Sequence, residues 1–281
     1  MMTTESPENL KWLQIRHAAS EMRVAEAGKR LRGIRVDFLL IKGLAASRYY
    51  PEPWRRFFSD IDICVSREDF DKRTEILEAL EGLGIDLHCE LRDLDEVSWD
   101  VLIQRAENFE LNGVEIKAPC REDHFRILTT HWLNDGGRRV DKLEDLYQCV
   151  NTTDGFDWNL CIEGLSAERR NWMSKALGAL KEFLKLEISG HPFTEEELRL
   201  PRWFVEAIDQ ESQRDGIKPL AFADSPGAFL RELRSKFPPN PIQSAIEAGV
   251  PIEDPIPRGA QLRSLFARTR YFLKFFILRI R

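Results

Sequence analysis

The sequence predicts an α+β fold, in which a small mixed β-sheet flanked by helices is followed by a helical C-terminal region. Between residues 34 and 120, short apolar runs that end at turn residues alternate with helical patterns, as in a sheet with connecting helices. From about residue 121 onward, apolar residues recur at the helical spacing. The 281 residues are 43% hydrophobic and 31% charged, which favours a globular protein over a disordered or fibrous one.

The first elements follow from a change of period along the chain. Residues 6–33 carry apolar side chains at helical spacing, which predicts a helix. Residues 36–41 are almost continuously apolar and end at a Lys-Gly pair, so we expect a buried strand. A short helix over residues 44–50 should stop at Pro51, and residues 59–65 alternate between acidic and apolar as a second strand does.

The remaining elements complete the sheet and begin the helical region. We expect a helix over 66–81, a third strand over 85–91, a helix over 99–106, a strand pair near 109–117 and a helix over 122–134. Proline-containing breaks are expected at 191–192, 201, 218–226 and 238–257, and the last should be loop-rich and partly extended. The expected segments are an N-terminal helical segment (1–33), an α/β domain (34–120), a helical region (121–257) and a C-terminal amphipathic helix (258–281).

Several classes of protein are disfavoured by the sequence. No apolar run reaches the roughly 18–20 residues that a membrane-spanning helix needs. The N-terminal residues lack the basic and apolar stretches of a secretory signal, so we expect a cytoplasmic protein. The five cysteines are widely spaced and form no CxxC pair, which argues against a disulfide framework or a structural zinc site.

Charge is distributed unevenly along the chain. Residues 258–281 hold seven basic and no acidic side chains, whereas residues 1–257 hold 34 basic and 47 acidic ones, a net charge of −13. An acidic body repels phosphate, which disfavours nucleic acid as a partner. The basic C-terminal helix, expected over 261–281, should either dock on this body or contact a partner protein or a membrane surface.

Asp60 and Asp62 are the first candidates for a functional site. Residues two apart in a strand point to the same face, so both carboxylates should lie together. Two carboxylates this close repel each other unless a cation neutralises them, and Mg²⁺ prefers carboxylate oxygens as ligands. Because like charges repel, replacing either aspartate by asparagine should leave the ligand-free fold as stable or slightly more stable. The alternative interpretation is an edge strand with an exposed acidic face.

The strands on either side add phosphate-binding and metal-binding groups. Lys42 and Gly43 stand between a strand and a helix, where a cation and backbone N–H groups can meet an anion. The third strand carries Asp86, His88 and Glu90 on one face, and one of the two carboxylates could complete a metal site with the aspartate pair.

The stretch of sequence that holds these residues resembles a known family. Residues 30–150 resemble the uncharacterised nucleotidyltransferase family, part of the DNA polymerase beta-like nucleotidyltransferase superfamily, in the runs LLIKGLAASRYYPEP, SDIDICV, IDLHCEL and REDHFRILTTHWLNDGGRRVDKLEDLYQCV. The resemblance implies a nucleotidyltransferase-like domain that uses Mg²⁺ or Mn²⁺ to move a nucleoside monophosphate group from a nucleoside triphosphate to an acceptor hydroxyl. The sequence leaves the identity of the acceptor open among a small molecule, a sugar and a protein. The alternative is an inactive nucleotidyltransferase fold that serves as a binding or scaffold protein, for example an antitoxin-like partner.

The resemblance also implies roles for single residues. Asp60 and Asp62 match the paired metal-binding aspartates, and Asp86 matches the third acid. The residues expected at the nucleotide are Lys42, Gly43, Arg56 and Ser59.

Three further residues are expected to support this site. Glu90 is the second choice for the third acid, and we expect it instead to be solvated or paired with Arg92. His88 is a metal ligand, a group that orients Asp86, or a hydrogen-bonded strand histidine. His131 should face the cleft or cap a partner helix; its spacing of seven from His124 does not favour a zinc pair.

Overall fold

The computed structural model describes residues 7–90, 97–151, 155–212 and 237–279, with the side chains of Pro7, Asp141, Ser212 and 271–279 left aside. Contacts divide the chain into two compact units, one of residues 1–128 and 148–164 and the other of residues 129–147 and 165–281. The four segments expected from the sequence stay a prediction.

The first unit contains both sheets. Its strands are β1 (Phe38–Ile41), β2 (Ile61–Val65), β3 (Ile85–Cys89), β4 (Glu107–Leu111) and β5 (Val114–Ala118). The helices as far as residue 162 are α1 (Pro7–Gly33), α2 (Lys42–Ser47), α3 (Arg67–Phe70), α4 (Arg73–Ala79), α5 (Trp99–Arg105), α6 (Arg121–Asn134), α7 (Leu143–Val150) and α8 (Trp158–Ile162). A 3₁₀ turn spans Pro53–Arg55. The α+β fold class predicted from the sequence is confirmed.

β2 is the central strand of a three-stranded mixed sheet. β1 pairs with it antiparallel and β3 parallel, so the order is β1-β2-β3. All five residues of β2 are buried, and successive side chains point to opposite faces. Ile61, Ile63 and Val65 lie in one core, and Cys64 lies in a smaller core on the other face. The interpretation of an exposed acidic edge strand is therefore wrong.

The two hydrophobic cores fix β2 from both sides. The larger one packs α1, α2, α4 and the β4–β5 hairpin against the sheet. The smaller one joins Leu39, Ile41 and Cys64 to Leu102 of α5 and Ile127 of α6. The ends of β1 and β2 are thereby held by packing on both faces of the sheet.

The second unit is helical in its described residues. Its elements after α8 are α9 (Ala167–Ala179), a π-helical turn (Leu180–Leu184), α10 (Glu195–Leu198), α11 (Arg202–Ser212), α12 (Pro241–Glu247) and α13 (Arg258–Arg279), and a 3₁₀ turn spans Val140–Lys142. Ser264 and Arg268 of α13 contact the carboxylate of Glu247 at 2.7 and 3.1 Å. The described part of the basic helix is thus tied to an acidic residue of its own unit. Among the described residues, no helix is long and apolar enough to span a membrane.

One element prediction was wrong, and another missed a helix. The helix expected over 66–81 is divided into α3 and α4, because Lys72 leaves helical geometry at φ −86° and ψ 20°. The segment 238–257, expected to be loop-rich and partly extended, contains α12. Asn240 caps that helix by accepting from the Gln243 backbone N–H, and Pro241 occupies its first position, where the missing N–H costs nothing. The expected break at 218–226 lies outside the described residues.

Candidate active site

Three carboxylates meet at one end of the sheet. Asp60 immediately precedes β2, Asp62 lies within it, and the parallel register places Asp86 of β3 beside Asp62. One oxygen from each of the three side chains lies within 4.8 Å of the others. Within the part of the chain that the structure describes, no other cluster of three acidic, histidine or cysteine groups comes this close.

The environment of Asp62 differs from that of its two neighbours. Asp62 is 5% exposed, whereas Asp60 and Asp86 are exposed. The Lys42 ammonium donates to Asp62 Oδ1 at 2.9 Å, and His88 Nε2 donates to the same oxygen at 2.7 Å. Burial by itself raises the pKa of Asp62, but the His88 hydrogen bond and the Lys42 charge outweigh it, so the pKa is lowered from its usual value. Asp62 is therefore held ionised by two neighbouring donors.

Lys42 reaches Asp62 from a strained turn where β1 ends and α2 begins. Its φ is +57°, a left-handed conformation that costs a residue with a Cβ roughly 1–2 kcal/mol. The register pairs Ile41 with Asp62, so the residue after Ile41 leaves the sheet directly beside that carboxylate. The side chain of Lys42 is 16% exposed and forms an ion pair with Asp62 rather than extending into solvent.

The other residues predicted at the nucleotide lie on the same turn or on the loop before β2. Gly43 is required by packing, since a Cβ there would lie 2.7 Å from Cβ of Phe58. Ser59 donates its hydroxyl to Asp60 Oδ1 at 3.0 Å. Arg56 is half-buried and donates to the Phe57 carbonyl. These residues border the carboxylates, and their role toward a nucleotide stays a prediction.

The supporting residues on β3 divide between the site and the surface. His88 contacts Asp62, not Asp86, whose orientation was one role considered from the sequence. Glu90 lies outside the carboxylate cluster and pairs with the exposed Arg67, Oε2 to Nε at 3.4 Å. Arg92, the partner considered for Glu90, lies outside the described residues.

His131 belongs to the second unit. Its Nε2 lies 3.8 Å from Asp135 Oδ2, an oxygen that also accepts from Lys142 Nζ at 2.6 Å. Its predicted support of the site stays a prediction.

Sequence reasoning missed one functional neighbour of the site, His124. This α6 residue is fully buried, and its Nε2 accepts the backbone N–H of Lys42 at 3.2 Å. Its Nδ1 lies 2.9 Å from the Tyr49 hydroxyl. Burial, with the charges of Arg48 and Arg56, holds the pKa of His124 well below its usual value. The sequence offered only a histidine on an otherwise buried helix face, since the contact joins residues 82 positions apart.

The N-terminal part of the chain, which carries most of this site, matches a known family. Residues 8–82 match an uncharacterised nucleotidyltransferase family. The match covers 75 of the 281 residues and includes Lys42, Gly43 and both aspartates of β2, but it stops before Asp86. It confirms the resemblance predicted from the sequence, and it points to nucleotidyl transfer as the general chemistry.

No curated protein matches the chain. A crystal structure of an antigenic nucleotidyltransferase-like protein from Paracoccidioides brasiliensis is 12% identical, with a TM-score of 0.43 over 58% of this chain and 87% of that one. This structure is too distant from the chain to assign roles to the residues of the site.

The site combines hard oxygen ligands with a cation at one end of the sheet. Three aspartate oxygens within 4.8 Å suit a divalent ion such as Mg²⁺, which takes oxygen ligands and rarely has a complete protein cage. Lys42 adds a positive charge that is already 2.9 Å from the buried carboxylate. This donor set is suited to binding a metal together with phosphate oxygens.

Proposed function

We propose that the protein is a metal-dependent nucleotidyltransferase that moves a nucleoside monophosphate group from a nucleoside triphosphate to an acceptor hydroxyl. The observation that carries this proposal is the convergence of Asp60, Asp62 and Asp86, with one oxygen from each within 4.8 Å of the others. The family match over residues 8–82 supports the same chemistry.

Asp60, Asp62 and Asp86 are the residues that would hold Mg²⁺ or Mn²⁺. When bound, such an ion stabilises the charge that develops on the α-phosphate and makes the acceptor hydroxyl a better nucleophile. The acceptor oxygen would form a bond to the α-phosphorus as the bond from that phosphorus to the pyrophosphate oxygen breaks, and the hydroxyl proton would pass to solvent. In that reaction Asp62 supplies a carboxylate that is ionised before the substrate arrives, because Lys42 and His88 already stabilise its negative charge.

Lys42, Gly43, Arg56 and Ser59 form the proposed nucleotide-binding part of the site. Lys42 can donate to phosphate oxygens without a change of backbone, because its ammonium lies at the end of a flexible four-carbon chain. Arg56 adds a second positive charge on the loop that leads into β2, where bidentate contact with phosphate is possible. Gly43 lets this loop approach the turn closely, through the contact with Phe58.

A thermal-shift titration tests the proposal. ATP, GTP, CTP and UTP are added with Mg²⁺ or with EDTA to the wild-type protein and to Asp60→Asn. We expect at least one nucleotide to stabilise the wild type only with Mg²⁺, by RT ln(1 + [L]/Kd), which is about 2.7 kcal/mol at 100 times Kd. Asp60→Asn should abolish the shift.

The matched control is Glu110→Gln, which removes an exposed acidic charge from β4, outside the carboxylate cluster. It should retain the full Mg²⁺-dependent shift. A wild type that responds to none of the four nucleotides contradicts the enzyme and favours the inactive binding or scaffold protein. A response that persists in Asp60→Asn contradicts the assignment of the metal site.

A further inference from the structure

The turn that presents Lys42 has an unusual source of stabilisation. The backbone of Lys42 is left-handed, and its N–H is one of the groups at a helix start that have no partner within the helix. The side chain just before a helix can accept from the second or third N–H of that helix, but Ile41, which stands at this position before α2, caps nothing. The amide of Lys42 instead donates to His124, on a helix far along the chain.

Only one protonation state of His124 fits its contacts. A backbone N–H always donates, so Nε2 must carry the lone pair that accepts from Lys42. The proton of a neutral ring is then on Nδ1, which donates to the Tyr49 hydroxyl at 2.9 Å. The burial that lowers the pKa of His124 agrees with a neutral ring. Tyr49 is itself buried, so the ring is fixed at both nitrogens.

The two ends of Lys42 are therefore held by different parts of the first unit. His124 holds its amide from α6, and Asp62 receives its ammonium from β2. We propose that His124 is a positioning residue for the reaction, whose Nδ1–H ring keeps the left-handed turn at Lys42 in place so that the ammonium stays at the metal and phosphate site. The inference rests on the proposed function, and it adds a residue beyond the family match.

Loss of the His124 lone pair should affect one part of the site and spare the other. Without the acceptor, Lys42 can relax out of the left-handed region, and its side chain then leaves the carboxylates. Asp62 and Asp86 are placed side by side by the backbone pairing of β2 with β3, in which His124 takes no part. Phosphate binding should therefore weaken, while binding of a metal ion alone is retained.

The experiment compares His124→Leu, His124→Gln and Phe125→Leu with the wild-type protein. The probes are Mn²⁺ alone and inorganic triphosphate with Mg²⁺, which avoids the choice of a base. Leucine removes the acceptor, whereas the glutamine amide oxygen can take the place of Nε2. Phe125 is the next residue of α6, fully buried against Phe156 and Trp158, so its variant controls for lost stability alone.

We expect His124→Leu to bind triphosphate on the order of tenfold more weakly, the factor equivalent to the strain of one left-handed residue. Mn²⁺ affinity should not fall, since the three carboxylates stay in place and the departing ammonium no longer repels the ion. His124→Gln should restore most of the triphosphate affinity, and Phe125→Leu should keep all of it. Long-range ¹H–¹⁵N spectra, assigned by the signals that His124→Gln removes, should show an Nδ1–H ring.

Different failures have different meanings. A wild type that binds neither Mn²⁺ nor triphosphate overturns the proposed function and with it the role of His124. A wild type that binds both, with His124→Leu binding triphosphate equally well or Phe125→Leu losing as much, overturns the positioning role alone. An Nε2–H ring in the folded protein overturns the contact with Lys42 on which the inference depends.

Discussion

The buried charge of Asp62 gives a sharp prediction about stability in the absence of metal and nucleotide. Asp62→Asn keeps the size of the side chain but removes the negative charge that Lys42 and His88 answer at 2.9 and 2.7 Å. A hydrogen bond to a charged group contributes about 1.5–3 kcal/mol. Breaking a fully buried ion pair costs about 3–5 kcal/mol. The Lys42 side chain is still 16% exposed, and an asparagine at position 62 can still accept one hydrogen bond. We therefore expect Asp62→Asn to lose about 2 kcal/mol of stability.

Native-state hydrogen exchange of the peptide that covers β1 and β2 is the appropriate assay. It reports the free energy of opening for that segment, whereas global unfolding of a chain with two compact units need not be two-state. Asp60→Asn is the matched control, because Asp60 is exposed and its loss should leave exchange in β2 unchanged. A double-mutant cycle with Lys42→Met should give a coupling of about 1–2 kcal/mol between the two side chains.

Two results would refute this reasoning. Exchange in Asp62→Asn that is as slow as in the wild type would mean that the ion pair contributes nothing to the fold. A loss of protection in Asp60→Asn as large as in Asp62→Asn would mean that the two carboxylates share one environment. The sequence alone, through the repulsion of like charges, predicts neutral or stabilising effects for both variants, so the measurement also separates the two lines of argument.

Three other measurements test the packing around the site. Gly43→Ala should destabilise the protein by about 1–3 kcal/mol, since the added Cβ meets Phe58, whereas Gly33→Ala, with open space around it, should not; urea unfolding compares the two. Because the pKa of His124 is lowered on folding, the unfolded chain takes up a proton first as the pH falls below about 6.5. Stability should therefore fall with decreasing pH, by at most about 1.4 kcal/mol per pH unit from this group, and the slope should be smaller in His124→Gln when unfolding is measured from pH 7.5 to 5. Among the five thiols, Cys89 is the one that is not buried, so an aromatic disulfide reagent should modify one thiol per native chain and lose that reaction in Cys89→Ser.

The sequence predicted the order of elements better than it predicted their partners. Apolar runs and their period located α1, β1, β2 and β3 to within a few residues, because burial patterns are local properties of the chain. The same patterns left the direction of β3 open, and with it the choice between Asp86 and Glu90. Pairing direction is a tertiary property, and the structure makes β3 parallel to β2, with Asp86 beside Asp62.

Side-chain contacts across the fold could not be predicted for the same reason. Lys42 was expected to meet phosphate, and the structure pairs it with Asp62 through the register of Ile41 with that residue. His124 gave no local signal of its contact with Lys42, because the two residues lie 82 positions apart in the chain. Pro241 was interpreted as a break although it begins a helix, since proline has opposite effects at the first position and in the interior.

The position of Asp62 explains how one strand can serve both the core and the site. β2 is buried along its whole length, and a lone carboxylate in such a strand would be costly. Asp62 avoids this cost because it lies next to the first residue of the strand, where β1 ends and a lysine follows at once. Lys42, in the turn that follows the antiparallel strand β1, thereby balances the charge of Asp62 in β2. Asp60 and Asp86 remain exposed beside this pair. Asp62 can therefore stay ionised close to two other aspartates without loss of the fold, which suits the binding of a divalent cation.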